Sequence, residues 1–418
     1  MSMTTPFYDA LETRPPAERE AALMAALPGL VAHAQQAAPA FADILAGVDA
    51  QAVNNRQALA QLPVTRKYQL AERQQAERDR EAFGGFATQP FGAQMLRVFS
   101  SPGPIYEPEG PQTDYWRMAR ALYAAGFRAG ELIHNCFSYH FVPAGSMMET
   151  AAHALGCTVF PGGTGQTEQQ VQAMAQLRPA GYIGTPSFLK LIVEKAQEQG
   201  VALPSVTKAL LSAEAFPPSL RDWFAERGIQ GYQCYGTADL GLIAYETSAR
   251  EGLVLDEGVI VEIVRPGTGD PVPEGEVGEL VVTSFNPLYP LIRFGTGDLS
   301  AVLPGPCPTG RTNARIKGWL GRADQTTKVR GMFVQPGQID QVVKRFPQVQ
   351  RARLVVSGEM ASDQMTLQVE TTETAAGLAL QLQEALREVT KLRGEIEMLP
   401  PGSLPNDGKV IEDARSYR

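Results

Sequence analysis

The chain is poor in cysteine: four thiols, Cys136, Cys157, Cys234 and Cys307, stand far apart in 418 residues. None has the paired spacing of a zinc site or a disulfide frame, so reduced, partly buried thiols in a cytoplasmic protein are expected. Positive charge is also in deficit. The formal net charge is -8, and without a basic face broad nucleic-acid binding is excluded, although a small anionic ligand needs only local cations. No apolar run approaches the roughly 20 residues of a membrane helix, so no membrane partner is expected. The opening MSMTTPFYDALETRPP lacks a basic start followed by an apolar core, and no secretory leader is expected from it.

What remains is the composition of a soluble globular protein, 44% apolar and 20% charged, long enough that two domains are the natural expectation. The first 80 residues read as a helical cap, starting at Pro15-Pro16-Ala17-Glu18, with proline in the first turn and acids near its positive end. From Gln94 to Gly236, short apolar runs (Met95–Phe99, Leu132–Cys136, Thr158–Phe160, Tyr182–Ile183, Ala209–Leu211, Tyr232–Tyr235) alternate with helical stretches such as Asp114–Ala125 and Glu168–Leu177. That alternation predicts an α/β fold with a mostly parallel sheet covered by helices. Such sheets bind ligands beyond the carboxyl ends of their strands. After Tyr245, the runs Val259–Val264, Glu279–Ser284 and Leu299–Leu303 are joined by turn-rich text and predict a small antiparallel subdomain. The tail predicts a helix near Pro336–Arg345, strands at Arg351–Val356 and Met365–Val369, and a helix over Leu378–Leu392. Two domains follow: residues 1–322, with 1–80 as the cap, and an α+β domain of about 95 residues over 323–418.

Four segments in expected loops stand out: Tyr235-Gly236-Thr237-Ala238-Asp239, the run YPLIRFGTGDLS from Tyr289 to Ser300, Gly321-Arg322-Ala323-Asp324, and LPNDGKV from Leu404 to Val410. Taken singly, each is an ordinary surface turn. Their order and spacing resemble the adenylate-forming superfamily of acyl-CoA synthetases, most closely its phenylacetate–CoA ligase branch. The likeness covers nearly the whole chain and includes Phe7-Tyr8-Asp9-Ala10-Leu11-Glu12-Thr13, Leu62-Pro63-Val64-Thr65-Arg66-Lys67 and Gly184-Thr185-Pro186-Ser187.

The resemblance implies two half-reactions: a carboxylate attacks the α-phosphate of ATP to give an acyl-adenylate, then a mobile C-terminal domain swings and coenzyme A displaces AMP. At the matching positions, Asp298 offers two acceptor oxygens to the ribose hydroxyls, Tyr235 stacks on adenine beside Gly236 and Thr237, and Ala213 and Glu214 frame the base. Arg293 is a fixed cation for that aspartate or for phosphate, and Arg322 joins the nucleotide site. Lys409 bridges carboxylate and α-phosphate, where a positioned ammonium stabilises developing charge. Asp239 is the catalytic carboxylate that holds Mg²⁺, and Asp324 is the hinge. Asn135, Tyr139 and His140 line the acid pocket, while Lys328, Arg330 and Gly331 fall where coenzyme A is bound. The bulk of Tyr139 and His140 points to a small or planar acid, although a packed core histidine explains His140 equally well. Self-association as a homodimer is the oligomer allowed for. Arg311, Arg315, Lys317, Arg322, Lys328 and Arg330 crowd the hinge with Asp324 alone opposing them, so a local positive patch is expected there.

Departures cluster on phosphate and metal. Where the family carries a Ser/Thr/Gly-rich phosphate loop, this chain has SSPGPIYEPEG, of which Ser100, Ser101 and Gly103 keep the expected character. Each proline there removes an amide donor, and Glu107 and Glu109 repel a polyphosphate unless they turn away from it or are bridged by Mg²⁺. Ala238 stands where a hydroxyl is usual, Asp239 where glutamate is, Gly295 where relatives often have arginine, and Gln325 in place of a common second aspartate after the hinge. Cys307-Pro308-Thr309-Gly310-Arg311 lacks the second cysteine of a Cys-Pro-Cys-Gly-Arg pattern. Two readings follow: an ATP-dependent acid–CoA ligase with a rebuilt loop, or a nucleotide- or acyl-CoA-binding protein that has lost triphosphate chemistry. A third keeps thioester chemistry but starts from a preformed adenylate or acyl donor.

Overall fold

The structure, a computed structural model, describes residues 5–101, 104–323, 325, 327–329, 332–358, 363–373 and 376–415. The chain divides into two compact units. The first takes the chain through Val261 with Val282–Phe294 and Leu303–Gly318; the second takes Glu262–Val281, Gly295–Val302 and the chain from Trp319 onward.

In the first unit, a sheet begins at the edge strand Thr158–Pro161 and continues through Leu132–Asn135, Gly181–Gly184, Lys208–Leu211 and Gln230–Thr237, all parallel. From Gln230–Thr237 it turns antiparallel through Gly241–Glu246, Leu253–Leu255 and Arg315–Ile316. Most of the expected apolar runs are therefore strands of this sheet, and the central ones, Gly181–Gly184 and Lys208–Leu211, are buried. Helix Pro186–Glu198 is typical: Thr185, just after its strand, caps the helix by accepting from the Phe188 N–H, and Pro186 opens it where no amide partner is needed. Its buried Leu189, Ile192, Val193 and Ala196 pack with Tyr182, Ala209, Leu211 and Phe224.

The N-terminal segment is helical, with Pro16–Ala37 as its longest helix. Its motif Phe7–Thr13 is an anchor. Asp9 accepts from the Leu11 N–H and pairs with Arg120 at 2.8 Å. Glu12, fully buried, lies 3.0 Å from Arg311 and 3.2 Å from both Arg120 and the Tyr245 hydroxyl. A buried carboxylate is tolerated only with such company.

Two expectations need correction. The run Met95–Phe99 is not part of the parallel sheet: Arg97–Ser101 pairs antiparallel with Ile105–Glu109 as a separate hairpin. The positive patch also loses two members. Arg311 is buried on Glu12, and Arg315 is buried on Glu251 at 3.3 Å and on the carbonyls of Glu251, Pro304 and Gly305. Their partners lie far away in sequence, so charge counted along the chain overstates charge on the surface.

In the second unit, segments of the strands Val259–Val264, Gly278–Ser284 and Phe294–Ser300 are neighbours. Residues 329–411 have an apolar core of their own, built from Ile339, Val342, Leu354, Val356, Leu367, Val369, Leu382, Leu386 and Ile411 among others. Its sheet runs Glu395–Leu399, Gln364–Thr371, Val349–Ser357, Ile411–Asp413, with helices Pro336–Val343 and Ala376–Thr390. Among the described residues no helix is long and apolar enough to cross a membrane. All four cysteines are buried, and burial pushes the Cys136 and Cys234 thiols up to about 12.

Candidate active site

The carboxyl ends of the parallel strands gather the candidate residues of the first unit. Asn135 ends its strand fully buried; its amide donates to the Tyr139 hydroxyl and the Gly145 carbonyl, both at 2.9 Å. Tyr139 in turn donates to Glu149 at 2.8 Å, and burial and that carboxylate hold its phenol well above the ordinary range. Glu149 is a partner the sequence gave no sign of. His140 is exposed, so a packed histidine is not what the fold makes of it. Beyond Leu211, the Ser212 N–H donates to Gly184 O and its hydroxyl to Cys234 O, and the Glu214 carboxylate accepts from the Ser187 N–H. Between them Ala213 holds φ +68, a conformation costly for a residue with a side chain and typical of ligand-binding turns. Tyr235, Gly236 and Thr237 lie on the strand Gln230–Thr237 rather than in a loop, and turn into Gly241–Glu246. A side chain at Gly236 would meet the Gly241 carbonyl at 2.5 Å, so only glycine fits. Thr237 Oγ1 accepts from the Leu240 N–H, which fixes the turn that carries Asp239.

The hairpin answers the question raised by the prolines and glutamates. Register places Ser101 opposite Ile105 and Phe99 opposite Glu107. Both acids turn into the protein. Glu109 is buried, 3.1 Å from Arg97, and accepts from the Ser146 hydroxyl. Glu107 is fully buried and accepts from both the amide and the hydroxyl of Ser101. Burial first, and the nearby Asp239 carboxylate second, push Glu107 up to about 8, so it carries a proton at neutral pH. Asp239 is buried as well. Its Oδ2 lies 3.0 Å from the Lys67 ammonium, while its Oδ1 has no hydrogen-bond partner among the described residues. Lys67 belongs to the Leu62–Lys67 element, which was visible in the sequence without a role. Gln74 ties the hairpin's other edge down, donating to Tyr106 O and accepting from the Tyr106 N–H. Arg293 is fully buried, and its guanidinium donates to the carbonyls of Ala60 and Leu62, fastening the same element.

In the second unit, Asp298 sits on the strand Phe294–Ser300, where Gly-Thr-Gly-Asp reads as a turn but is held in a ladder. Thr296 Oγ1 donates to Leu280 O, the Leu299 N–H donates to Gly321 O of the neighbouring segment, and the Ala323 N–H of that segment donates to Gly297 O. That pairing brings Arg322 to 2.8 Å and the Trp319 indole N–H to 3.1 Å from the same Asp298 oxygen. Trp319 was missed because nothing in its sequence context marks it as a donor. Lys409 follows Gly408, which holds φ +71 with no room for a side chain against Val277 and Leu299. The Lys409 N–H donates to Asp407, and buried Arg353 donates to Lys409 O at 3.2 Å and pairs with Asp407 and Glu412. The Lys409 side chain is half-exposed, 3.9 Å from Glu412, and lines a cavity of about 60 Å³ with Arg265, Glu276, Asp340 and Arg351. Gly103, Asp324, Arg330 and Gly331 lie outside the described residues. Lys328 lies on the strand Thr327–Val329, its side chain outside them too. Among the described residues no group of three or more metal-ligating side chains is assembled.

Parallel strands with ligand-ready turns at one end, followed by a strand-borne aspartate and a lysine on a small α+β lobe, define an adenylate-forming enzyme. Residues 113–286 match the model of the AMP-binding enzyme family, and residues 331–414 that of the AMP-binding enzyme C-terminal domain. Phenylacetate-coenzyme A ligase of Thermus thermophilus is 32% identical over 387 residues, spanning 88% of this chain and 84% of that protein. The Escherichia coli K12 protein of the same name is 27% identical over 98% of this chain and 97% of its own length. Among solved structures, an open conformation of 2-hydroxyisobutyryl-CoA ligase in complex with 2-HIB-AMP and CoA superposes with a TM-score of 0.74 at 24% identity, covering 97% of this chain and 93% of that one. The chain belongs to the AMP-binding enzyme family, in its phenylacetate–CoA ligase-like branch.

Proposed function

We propose that this protein is an ATP-dependent acid–CoA ligase that activates an aryl or small acyl acid as its adenylate and transfers the acyl group to coenzyme A. The observation that carries the reading is the gathering of Asn135, Tyr139, Ala213, Glu214, Tyr235 and Thr237 at the carboxyl edge of one parallel sheet, where ligands of such sheets bind. Relatives named phenylacetate-coenzyme A ligase over most of the chain support it. In this reading Tyr235, Gly236, Thr237, Ala213 and Glu214 take the adenine, Asp298 and Arg322 the ribose, Ser100 and Ser101 the phosphates, and Lys409 the charge that develops between carboxylate and α-phosphate. Asn135 and Glu149 pin Tyr139 as a wall of the acid pocket, and a fixed aromatic wall favours a small or planar acid. Asp239 would hold Mg²⁺: its buried Oδ1 lacks a partner among the described residues, which is the donor a divalent ion takes, and the ion would neutralise the polyphosphate. The lobe from residue 323, with its own apolar core, is the part we assign to the swing between half-reactions.

The test is carboxylate-dependent exchange of pyrophosphate into ATP across a panel of aromatic and short acids, followed by thioester formation with coenzyme A. Exchange with at least one acid is expected. Silence with every acid, alongside tight AMP binding, overturns the reading in favour of a protein that binds nucleotide without activating acids.

A further inference from the structure

The residue after the expected hinge departs from the family pattern, and the fold gives that departure a task. Gln325 reaches across to the lysine loop with both ends of its amide. Its Nε2 donates to the Gly408 carbonyl at 2.9 Å, while its Oε1 accepts from the Val410 N–H at 2.5 Å and the Ile411 N–H at 2.9 Å. The partners fix which end is which, because a carbonyl accepts and amides donate. The three contacts bracket Lys409 on both sides in the sequence. An aspartate at this position could accept from the two amides, but when ionised it has no proton for Gly408, and its stem is one methylene shorter.

We infer that Gln325 is a positioning residue for adenylate formation: its amide clamps the loop of Lys409 to the segment that follows the hinge, so that rotation there carries the ammonium with it. The inference rests on the role proposed for Lys409. Several features require such a clamp. The loop is short of regular structure between Leu399 and Ile411, its Gly408 is in a left-handed conformation, and among the described residues the lysine side chain has only a 3.9 Å ion pair to hold it. Arg353 grips the loop from the other direction, through Lys409 O, Pro405 O and Asp407, but it belongs to the sheet strand Val349–Ser357 and gives no connection to the hinge. Gln325 supplies that connection. Both it and residues 408–411 follow position 324 in the chain, so the clamp travels with the lobe instead of breaking when the lobe turns. A flexible four-carbon lysine placed about 1 Å out of line loses much of its effect on an in-line displacement.

The experiment measures the two half-reactions separately in the full-length enzyme, as pyrophosphate exchange and as thioester formation from synthetic acyl-adenylate, for Gln325→Ala, Gln325→Glu and Lys409→Ala. Gln325→Ala is expected to lower the kcat of adenylation roughly 10- to 100-fold, with the KM for ATP and the thioester half-reaction each within about threefold of the parent. Gln325→Glu keeps length and both acceptor contacts but sets a carboxylate against the Gly408 carbonyl. It should lose adenylation too, and recover relative to the parent as the pH falls and the new acid regains a proton to donate. Adenylation unchanged in both Gln325 variants while Lys409→Ala abolishes it overturns the clamp and leaves the role of Lys409 standing. Full adenylation in Lys409→Ala overturns that role, and the clamp with it. Equal loss of both half-reactions in Gln325→Glu, without recovery at lower pH, marks Gln325 as merely structural and overturns the inference.

Discussion

The ammonium of Lys67 lies 3.0 Å from the buried carboxylate of Asp239, 172 positions away in the chain. Lys67 opens the helix Lys67–Glu77, whose Gln74 also holds the Arg97–Glu109 hairpin through Tyr106. One short helix therefore holds both the hairpin and the acid of the turn beyond Tyr235. Removing one member of a buried pair is costly because the other charge is left in a medium that solvates it poorly. Lys67 is about one-third exposed on its side chain, which moderates the effect. Lys67→Met is expected to lower stability by about 1–3 kcal/mol, measured by urea unfolding. Adding Asp239→Asn to that variant should restore most of the loss. If the two losses simply add, the pair is not coupled.

Glu107 gives a pH dependence with a definite sign. Its folded-state value, about 8, is raised above the ordinary glutamate value. The folded protein therefore holds this proton more tightly than the unfolded chain does. The stabilisation is fully present below the unfolded value and is lost as pH rises through about 8. Relative to Glu107→Gln, which stays neutral, the parent should weaken across roughly pH 4.5–8, by on the order of 5 kcal/mol in total, followed as the midpoint of denaturant unfolding against pH. Because both acids of the hairpin face inward, Glu107→Gln combined with Glu109→Gln should change the KM for ATP less than about threefold at neutral pH. A large gain in ATP affinity would mean that their charges reach the triphosphate.

The parallel strands were legible because burial on both faces leaves unbroken apolar runs, and Leu132, Ala209 and Tyr232 each start or lie in one. The strand Phe294–Ser300 was not. Its Gly-Thr-Gly-Asp text has the composition of a turn, and what keeps it extended is pairing with Gly321–Ala323, a tertiary fact. The motifs of the site could be read by resemblance; the direction of Glu107 could not, since strand register decides which side chains face inward and a shift of one residue would reverse it. Charges were the least legible of all. Arg311 and Arg315 look like a surface patch until Glu12 and Glu251 are placed beside them.

Asp298 receives two donors on one oxygen, Arg322 and Trp319. Two fixed donors lock the carboxylate in one orientation before any nucleotide arrives, and such preorganisation lowers the cost of binding. Trp319→Phe keeps the ring and deletes one donor worth about 1 kcal/mol. The expected result is a rise of about fivefold in the KM for ATP, with kcat for adenylation nearly unchanged. Arg322→Ala should raise the KM further, since it removes a charged donor. A Trp319→Phe enzyme with the parent's KM would show that the indole has no part in the nucleotide-binding role proposed for Asp298.

Lys409 provides the cleanest separation of chemistry from folding. Its loop is held by Arg353, Asp407 and the packing of Gly408 on Val277 and Leu299, none of which needs the lysine side chain. The ammonium itself is half-exposed, with Glu412 3.9 Å away. Exposed side chains with no tight partner usually change stability by no more than about 0.5 kcal/mol when truncated, so Lys409→Ala should unfold at nearly the parent's denaturant midpoint. Its effect should fall on catalysis alone. Electrostatic stabilisation of charge developing at an α-phosphate is worth on the order of 3–4 kcal/mol, or about 10²–10³ in rate, and only adenylation develops that charge between the two substrates. Pyrophosphate exchange should therefore drop by at least about 100-fold, while thioester formation from synthetic acyl-adenylate stays within about threefold of the parent. Comparable losses in both half-reactions, in a protein that still folds, would mean that the lysine serves the lobe rather than the reacting phosphate.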